Sequence, residues 1–154
     1  MDSVLPFAYT VYDWKEIFDE DQRLSYLKSE EFRPFNEIVL ERVPTGFERH
    51  PDLTISPAHI ILKNDTEIIA EIHALSDAVL VFRSVFYPRW KAKVDGKTEW
   101  VIPANHAFSG IFIKKGKHKV HFFYDKHPHR FFEILSITVL LGLIAGNIFL
   151  WRAR

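Results

Sequence analysis

The chain has 154 residues, of which 47% are apolar and 15% aromatic, a length and composition typical of one folded domain. Its formal net charge is zero, which argues against a nucleic-acid-binding protein, because phosphate contacts need a cationic excess. It contains no cysteine, which excludes thiolate catalysis, disulfide bonds and a cysteine-based zinc site.

The first predicted element is a short helix over residues 19–29, "DEDQRLSYLKS". Asp19 and Asp21 place negative charge at its N-terminal end, where the helix dipole favours acidic groups. Leu24 and Leu27 lie three residues apart and form an apolar edge. We therefore assign residues 1–35 to an N-terminal segment that contains this helix.

After Pro34 the apolar residues follow a period of two, which is typical of β-strands. Strands are predicted over residues 37–42, 58–63, 66–73, 78–86, 90–94, 98–103, 108–115 and 118–125. The tight-turn signals between them are Asn64-Asp65, Asp95-Gly96 and Lys115-Gly116-Lys117. Short strands with frequent turns predict a mainly β fold, an antiparallel two-sheet β-sandwich over residues 36–126.

The stretch 86–100, "FYPRWKAKVDGKTEW", is rich in aromatic and cationic residues. Much of it is explained by strand alternation, because apolar and cationic side chains fall on opposite faces. The apolar face carries Trp90, Ala92 and Val94, and the cationic face carries Lys91 and Lys93. We therefore interpret Trp90 as a core residue and the stretch chiefly as a β-hairpin.

The last predicted element is a transmembrane α-helix over residues 131–151. Ile134 to Trp151 is a run of 18 residues without a formal charge, close to the length that spans a hydrocarbon core of about 30 Å. Gly142 and Gly146 have the spacing that lets two transmembrane helices approach closely. The expected partners are the lipid bilayer and other transmembrane helices. A buried core helix is the alternative, and the sequence alone leaves the membrane orientation open.

The stretch from residue 80 to residue 124 resembles the last extracytoplasmic domain of the bacterial YfhO-like membrane proteins. The matching positions are Tyr87-Pro88, Trp90-Lys91-Ala92, Val94-Asp95-Gly96-Lys97, Ala104-Asn105, Ala107-Phe108, Gly116, His118, Val120, Phe122 and Tyr124. The upstream residues 5–41, from "LPFAYTVY" to the strand "EIVLE", resemble the family as well. The departures are Arg89, where the family has glycine, Phe86, where a tyrosine is common, and Phe7, where it has arginine.

The resemblance implies an origin in polytopic, glycosyltransferase-like proteins that use a polyprenyl-linked sugar. Their catalytic carboxylate lies in an early extracytoplasmic loop, which this chain does not contain. The resemblance therefore implies a fragment or relic, namely the C-terminal domain and final helix, with the soluble domain outside a bacterial cell membrane.

No catalytic residue, metal site or cofactor is predicted from the motifs. There is no glycine-rich phosphate loop, nucleophile elbow or HExxH motif. His118 and His121 are three residues apart in a strand and therefore face opposite sides. Nothing in the spacing of Asp77, Asp95 and Glu99 selects a pair of carboxylates for glycosidic chemistry.

Sugar binding is the functional alternative to a purely structural interpretation of the aromatic residues. An exposed aromatic ring can stack on a pyranose while nearby polar side chains bond its hydroxyl groups. The candidate ligand-binding residues are Tyr87, Trp100, Lys91, Lys93 and Asn105. Asn105 has an alternative structural role as a brace of the loop before Phe108.

We therefore expect a non-catalytic accessory domain of a membrane glycosyltransferase-like protein involved in cell-envelope glycan or teichoic-acid glycosylation. A stand-alone, membrane-anchored carbohydrate-binding module is the alternative. A purely structural anchor that pairs through Gly142 and Gly146 is a third hypothesis.

Overall fold

The computed structural model describes residues 5–125 and 127–152. Within the C-terminal helix it describes the side chains of residues 134–145, 151 and 152. The elements are β1 (Ala8–Val11), β2 (Asp13–Glu16), α1 (Glu20–Leu27), β3 (Glu37–Leu40), β4 (Ser56–Pro57), β5 (His59–Lys63), β6 (Glu67–Ala74), β7 (Ala78–Val85), β8 (Trp90–Val94), β9 (Lys97–Glu99), β10 (Ile102–Ala104), β11 (Phe108–Ile113), β12 (Gly116–Tyr124) and α2 (His127–Arg152). They form two compact units, Met1–Tyr124 and Asp125–Arg154.

The strands of the first unit form two sheets, which confirms the prediction of a mainly β, two-sheet fold. The larger sheet has the strand order β2-β3-β10-β11-β7-β1-β4 and the smaller has the order β5-β6-β12-β8-β9. Neighbouring strands are antiparallel except β2 and β3, which are parallel. One core lies between the sheets, since its buried residues come from both.

The core between the sheets is filled by alternate residues of the strands. In β8, Ala92 and Val94 are buried while Lys91 and Lys93 are exposed, as the alternation predicts. A second buried cluster covers the opposite face of the larger sheet. Because β7 of that sheet is covered on both faces, its first five residues are all buried.

The hairpin between β8 and β9 has the predicted two-residue turn, because Val94 pairs with Lys97. Asp95 and Gly96 both have positive φ, 51° and 83°, as a turn that follows the strand twist requires. Asp95 also ties the turn to β12, since its carboxylate accepts from the Lys119 amide at 2.9 Å and lies 2.7 Å from His118 Nδ1. These two contacts, in that order, lower the pKa of Asp95.

The predicted helix is present as α1 and is shorter by two residues at its C-terminal end. Asp19 caps it, accepting a hydrogen bond from the Gln22 amide at 2.9 Å. The buried residue of this helix is Arg23, whose guanidinium donates to the Ile17 and Phe18 carbonyls at 2.7 and 3.1 Å. The buried guanidinium of Arg23 is thus satisfied by hydrogen bonds to the backbone that precedes the helix.

Two features of the strand pattern were predicted wrongly. The strand predicted over 98–103 is two strands, because β9 belongs to the smaller sheet and β10 to the larger, with the chain crossing between them at residues 100–101. In the N-terminal segment 1–35 a short helix was predicted and no strand, whereas β1 and β2 from that segment belong to the larger sheet. All four residues of β1 are buried, so it lacks the alternation that marks a half-exposed strand.

The region predicted as a transmembrane helix is helical, since it lies within α2. Among the described residues, however, no helix meets the length and apolarity needed to cross a membrane, so the transmembrane character is not shown. Gly142 has open space around it, with no heavy atom within 4 Å of a Cβ built there. Gly146 lies outside the residues whose side chains the structure describes.

Candidate functional site

The candidate site is built around Trp100, where the chain passes from one sheet to the other. Trp100 follows β9 directly and precedes β10 by two residues, so neither sheet covers its side chain. The side chain is 86% exposed. An indole this open offers a large apolar face to a ligand, with an N–H donor at its edge.

A cavity of about 480 Å³ opens beside Trp100. It is lined by Phe86, Pro88, Trp90, Lys91, Thr98, Glu99, Trp100 and Val101. The cavity therefore combines exposed aromatic surface with one cation, one carboxylate and one hydroxyl group. Its size lies within the range of small-molecule sites.

Trp90, one of the residues that line this cavity, is held in place because it packs against the core between the sheets. The Trp90 ring stacks on Phe122 with centroids 4.3 Å apart and an angle of 6° between the planes. Phe122 in turn stacks on Phe82 of the larger sheet at 4.7 Å. Trp90 also meets the edge of Tyr124 at 5.6 Å. The interpretation of Trp90 as a core residue agrees with these contacts.

Two of the five predicted ligand-binding residues line this cavity together, namely Lys91 and Trp100. Tyr87 is 54% exposed but is not among the lining residues, and its ring stacks on Tyr124 at 6.2 Å. Lys93 lies on the outer face of the smaller sheet, with Nζ 5.9 Å from the centroid of the Phe123 ring. The structure therefore brings Lys91 and Trp100 together in this cavity and does not place Tyr87 or Lys93 in its lining.

Asn105 is held in a structural role. Its side-chain oxygen accepts from the Val39 amide at 2.7 Å, and its backbone amide donates to the Val39 carbonyl at 2.9 Å. Its φ of 46° lies in the left-handed region, which asparagine tolerates better than most residues. Asn105 thus joins the loop after β10 to β3, which agrees with its alternative role as a brace, and its part in ligand binding stays a prediction.

Sequence reasoning missed two charged residues near Trp100. Glu99 was considered only as part of a carboxylate pair, yet it stands beside Trp100 in the cavity wall. Arg42 lines a neighbouring cavity that Trp100 also lines. Arg42 could have been found only from the pairing of the strands. Ala104 of β10 pairs antiparallel with Leu40 of β3, so the residues that follow Leu40 lie beside those that precede Ala104.

The histidines and carboxylates give no sign of a metal centre among the described residues. No group of three or more of these side chains is placed to hold an ion there. His118 Nδ1 lies 2.7 Å from Asp95 and its Nε2 lies 2.9 Å from the Lys114 carbonyl, so both ring nitrogens have partners. His121 Nε2 lies 2.7 Å from a carboxylate oxygen of Glu67. These contacts account for His118 as a structural group, while the approach of His121 to Glu67 is an ion-pair distance without hydrogen-bond geometry.

The resemblance to the YfhO-like family stays a prediction, because no family model, no curated protein and no solved structure matches the chain.

Proposed function

We propose that the chain is a non-catalytic accessory domain that binds a glycan through the cavity beside Trp100. The observation that carries this proposal is the 86% exposure of Trp100 next to Lys91 and Glu99 in one cavity. A pyranose presents an apolar C–H face and a rim of hydroxyl groups. An exposed indole can stack on the C–H face, and an ammonium and a carboxylate can form hydrogen bonds with the hydroxyl groups.

The chemistry of the cavity favours binding over glycosidic bond cleavage. Hydrolysis needs two carboxyl groups flanking the bond, whereas Glu99 is the one carboxylate among the described residues that line this cavity. Asp95, the other nearby acid in the sequence, is engaged with Lys119 and His118. The groups present are therefore those of a binding surface.

The wider setting of this proposal rests on the sequence resemblance. It places the domain in a membrane glycosyltransferase-like protein that acts in cell-envelope glycan or teichoic-acid glycosylation, with the soluble domain outside the cell. A stand-alone carbohydrate-binding module is the second candidate, favoured by the cavity itself. The coding sequence upstream of Met1 distinguishes the two, because a reading frame with many hydrophobic spans supports the accessory domain.

We expect the change Trp100→Ala to abolish glycan binding without loss of folding. Truncation removes the apolar ring face on which the sugar would stack, and with it the apolar area buried by binding. The measurement is a glycan array, followed by calorimetric titration of the bound sugars. Phe35→Ala is the control, since Phe35 is a 40% exposed aromatic residue that does not line the cavity. Unchanged binding by the Trp100 variant would contradict the proposal.

We also propose that α2 attaches the chain to a membrane. The support is the uncharged run from Ile134 to Trp151 and the exposure of the side chains described from 134 to 145. Leu, Ile and Val side chains left in water on all sides of a helix would be stabilised by a lipid environment. In this proposal the partners are the bilayer and other membrane helices that approach at Gly142 and Gly146.

Membrane attachment predicts that the chain stays with the membrane pellet when cell membranes are washed with alkaline carbonate. The change Leu141→Arg should move a large part of the chain to the supernatant, because a cation at the centre of a span costs about 2.5–3.5 kcal/mol. Leu75→Arg is the matched control, since Leu75 is an exposed leucine of the first unit. Release of the unaltered chain by carbonate would refute the attachment.

A further inference from the structure

Trp100 and Glu99 line two cavities. The first is the cavity of about 480 Å³ that holds Lys91. The second, of about 730 Å³, is lined by Arg42, Val43, Pro44, Phe47, Glu99, Trp100, Ile102 and Phe112. Since the two cavities share both residues, they adjoin each other at Glu99 and the exposed Trp100.

The second cavity has a fixed aromatic surface of its own. The Phe47 ring packs against Phe112 with centroids 4.8 Å apart. The ammonium of Lys114 lies 4.0 Å from the Phe47 centroid and 2.9 Å from an Asp77 carboxylate oxygen. Phe47 is thereby held from two sides, so its side chain loses little conformational entropy when a ligand contacts it.

The two cavities share three kinds of group. Each has aromatic rings besides Trp100, which are Phe86 and Trp90 in the first cavity and Phe47 and Phe112 in the second. Each has one exposed cation, Lys91 in the first and Arg42 in the second. The carboxylate of Glu99 belongs to both. A ligand that repeats one chemical unit would therefore find the same kind of site on either side of the indole.

We propose that the two cavities are adjacent subsites for one linear oligosaccharide, which passes over Trp100 with sugar rings on both sides of it. This inference rests on the proposed function and extends it from a single sugar to a chain. Lys91 and Arg42 each bond hydroxyl or acidic groups of the sugar in their own subsite, and Glu99 accepts from hydroxyl groups near the linkage. A glycan polymer is therefore the ligand class, rather than a free monosaccharide.

Joint occupancy has a measurable consequence. Once one ring is bound beside Lys91, the next ring of the same chain is held close to the second cavity and binds as an intramolecular event. Affinity should therefore rise by about tenfold or more between a monosaccharide and an oligosaccharide that reaches both cavities. A single subsite would give an affinity that is independent of chain length.

The test is calorimetric titration of the full chain, in a mild detergent, with glucose and N-acetylglucosamine oligomers of one to six units. We expect the affinity to increase with length in one series or both. Arg42→Ala should remove the gain with length, so that long and short oligomers bind it equally, while Trp100→Ala should remove binding at every length. Lys97→Ala is the control, because Lys97 is an exposed cation of β9 that lines neither cavity.

The outcomes separate this inference from the proposed function. Binding that requires Trp100 but does not change with length, or a length gain that survives Arg42→Ala, overturns the two-subsite groove and leaves glycan binding intact. Absence of binding by every oligomer of both series overturns both. Circular dichroism of the Arg42 and Trp100 variants establishes that a lost signal is not lost folding, since both side chains are exposed and their removal leaves the core unchanged.

Discussion

Replacing Phe122 by alanine should lower the free energy of unfolding of the first unit by about 3–5 kcal/mol. Phe122 is fully buried between the sheets, where it stacks on Phe82 at 4.7 Å and on Trp90 at 4.3 Å. Its removal leaves a cavity lined by two aromatic rings that are themselves held by neighbours, so the site cannot easily collapse. The measurement is urea unfolding followed by tryptophan fluorescence, in a mild detergent that keeps α2 dispersed.

Phe123→Ala is the matched control for this experiment. Phe123 is the next residue of the same strand and points to the outer face, where its ring meets His121 at 4.8 Å and Lys93 at 5.9 Å. It is only half-buried, so its truncation should cost about 1 kcal/mol or less. Similar losses for the two variants would contradict the assignment of Phe122 to the core between the sheets.

The strands that the sequence predicted well are those with one face in the core and one in water. In β6 the buried residues alternate with less buried ones from Glu67 to Ala74, and in β8 the same alternation follows the apolar and cationic residues. Period two is visible in such strands because their two faces lie in different environments. The hairpin turn at Asp95-Gly96 was predictable for a local reason, since both residues tolerate positive φ.

The strands that were missed or misjudged depend on pairing between distant parts of the chain. β1 pairs with β7, some seventy residues later, and has no exposed face that would give it an alternating pattern. The break between β9 and β10 was not visible in "TEWVIP", because nothing local indicates that the chain leaves one sheet for the other at Trp100. That crossing is also the reason why Trp100 is exposed.

The same limit applies to the candidate site. Lys91 and Trp100 were found because they lie in one short hairpin segment whose aromatic and cationic content is evident. Arg42 and Phe47 come from the loop after β3, and only the pairing of β3 with β10 brings that loop beside Trp100. Predicting the second cavity would have required the strand order of the larger sheet.

Asp77 connects the stability of the fold to the second cavity. Its carboxylate accepts from Lys114 Nζ at 2.9 Å and from the amides of Glu48 and Lys115 at 3.3 and 3.4 Å. Lys114 Nζ also donates to the Gly46 carbonyl. One acidic side chain thus ties the loop before β7, the turn after β11 and the loop that carries Phe47.

These contacts determine the ionisation of Asp77. Burial is the largest influence and by itself would raise the pKa. The hydrogen bonds from Lys114, Glu48 and Lys115, together with the positive charge of Lys114, outweigh it, so that the pKa of Asp77 is lowered. The pKa of Asp77 is therefore lower in the folded state than in the unfolded state, where it is about 3.9. Such a carboxyl group stabilises the fold fully at pH values above its unfolded-state pKa. That stabilisation is lost as the pH falls through the folded pKa.

We therefore expect Asp77→Asn to lower the free energy of unfolding by about 1.5–3 kcal/mol at pH 7, the range for hydrogen bonds to a charged group. Between pH 7 and about pH 5 the difference from the unaltered chain should stay constant, and below about pH 4 it should shrink, because both chains then carry an uncharged group at this position. The measurement is urea unfolding at a series of pH values in the same detergent.

Asp65→Asn is the control for the loss of a carboxylate as such, since Asp65 is an exposed acid in the turn between β5 and β6. It should change the free energy of unfolding by about 0.5 kcal/mol or less. Asp95 has a lowered pKa as well, so the Asp77 variant should keep part of the acid sensitivity of the unaltered chain. A difference between the Asp77 variant and the unaltered chain that is as large at pH 3 as at pH 7 would contradict the role of the Asp77 charge. In that case Lys114 would have to hold Phe47 without help from an ionised partner.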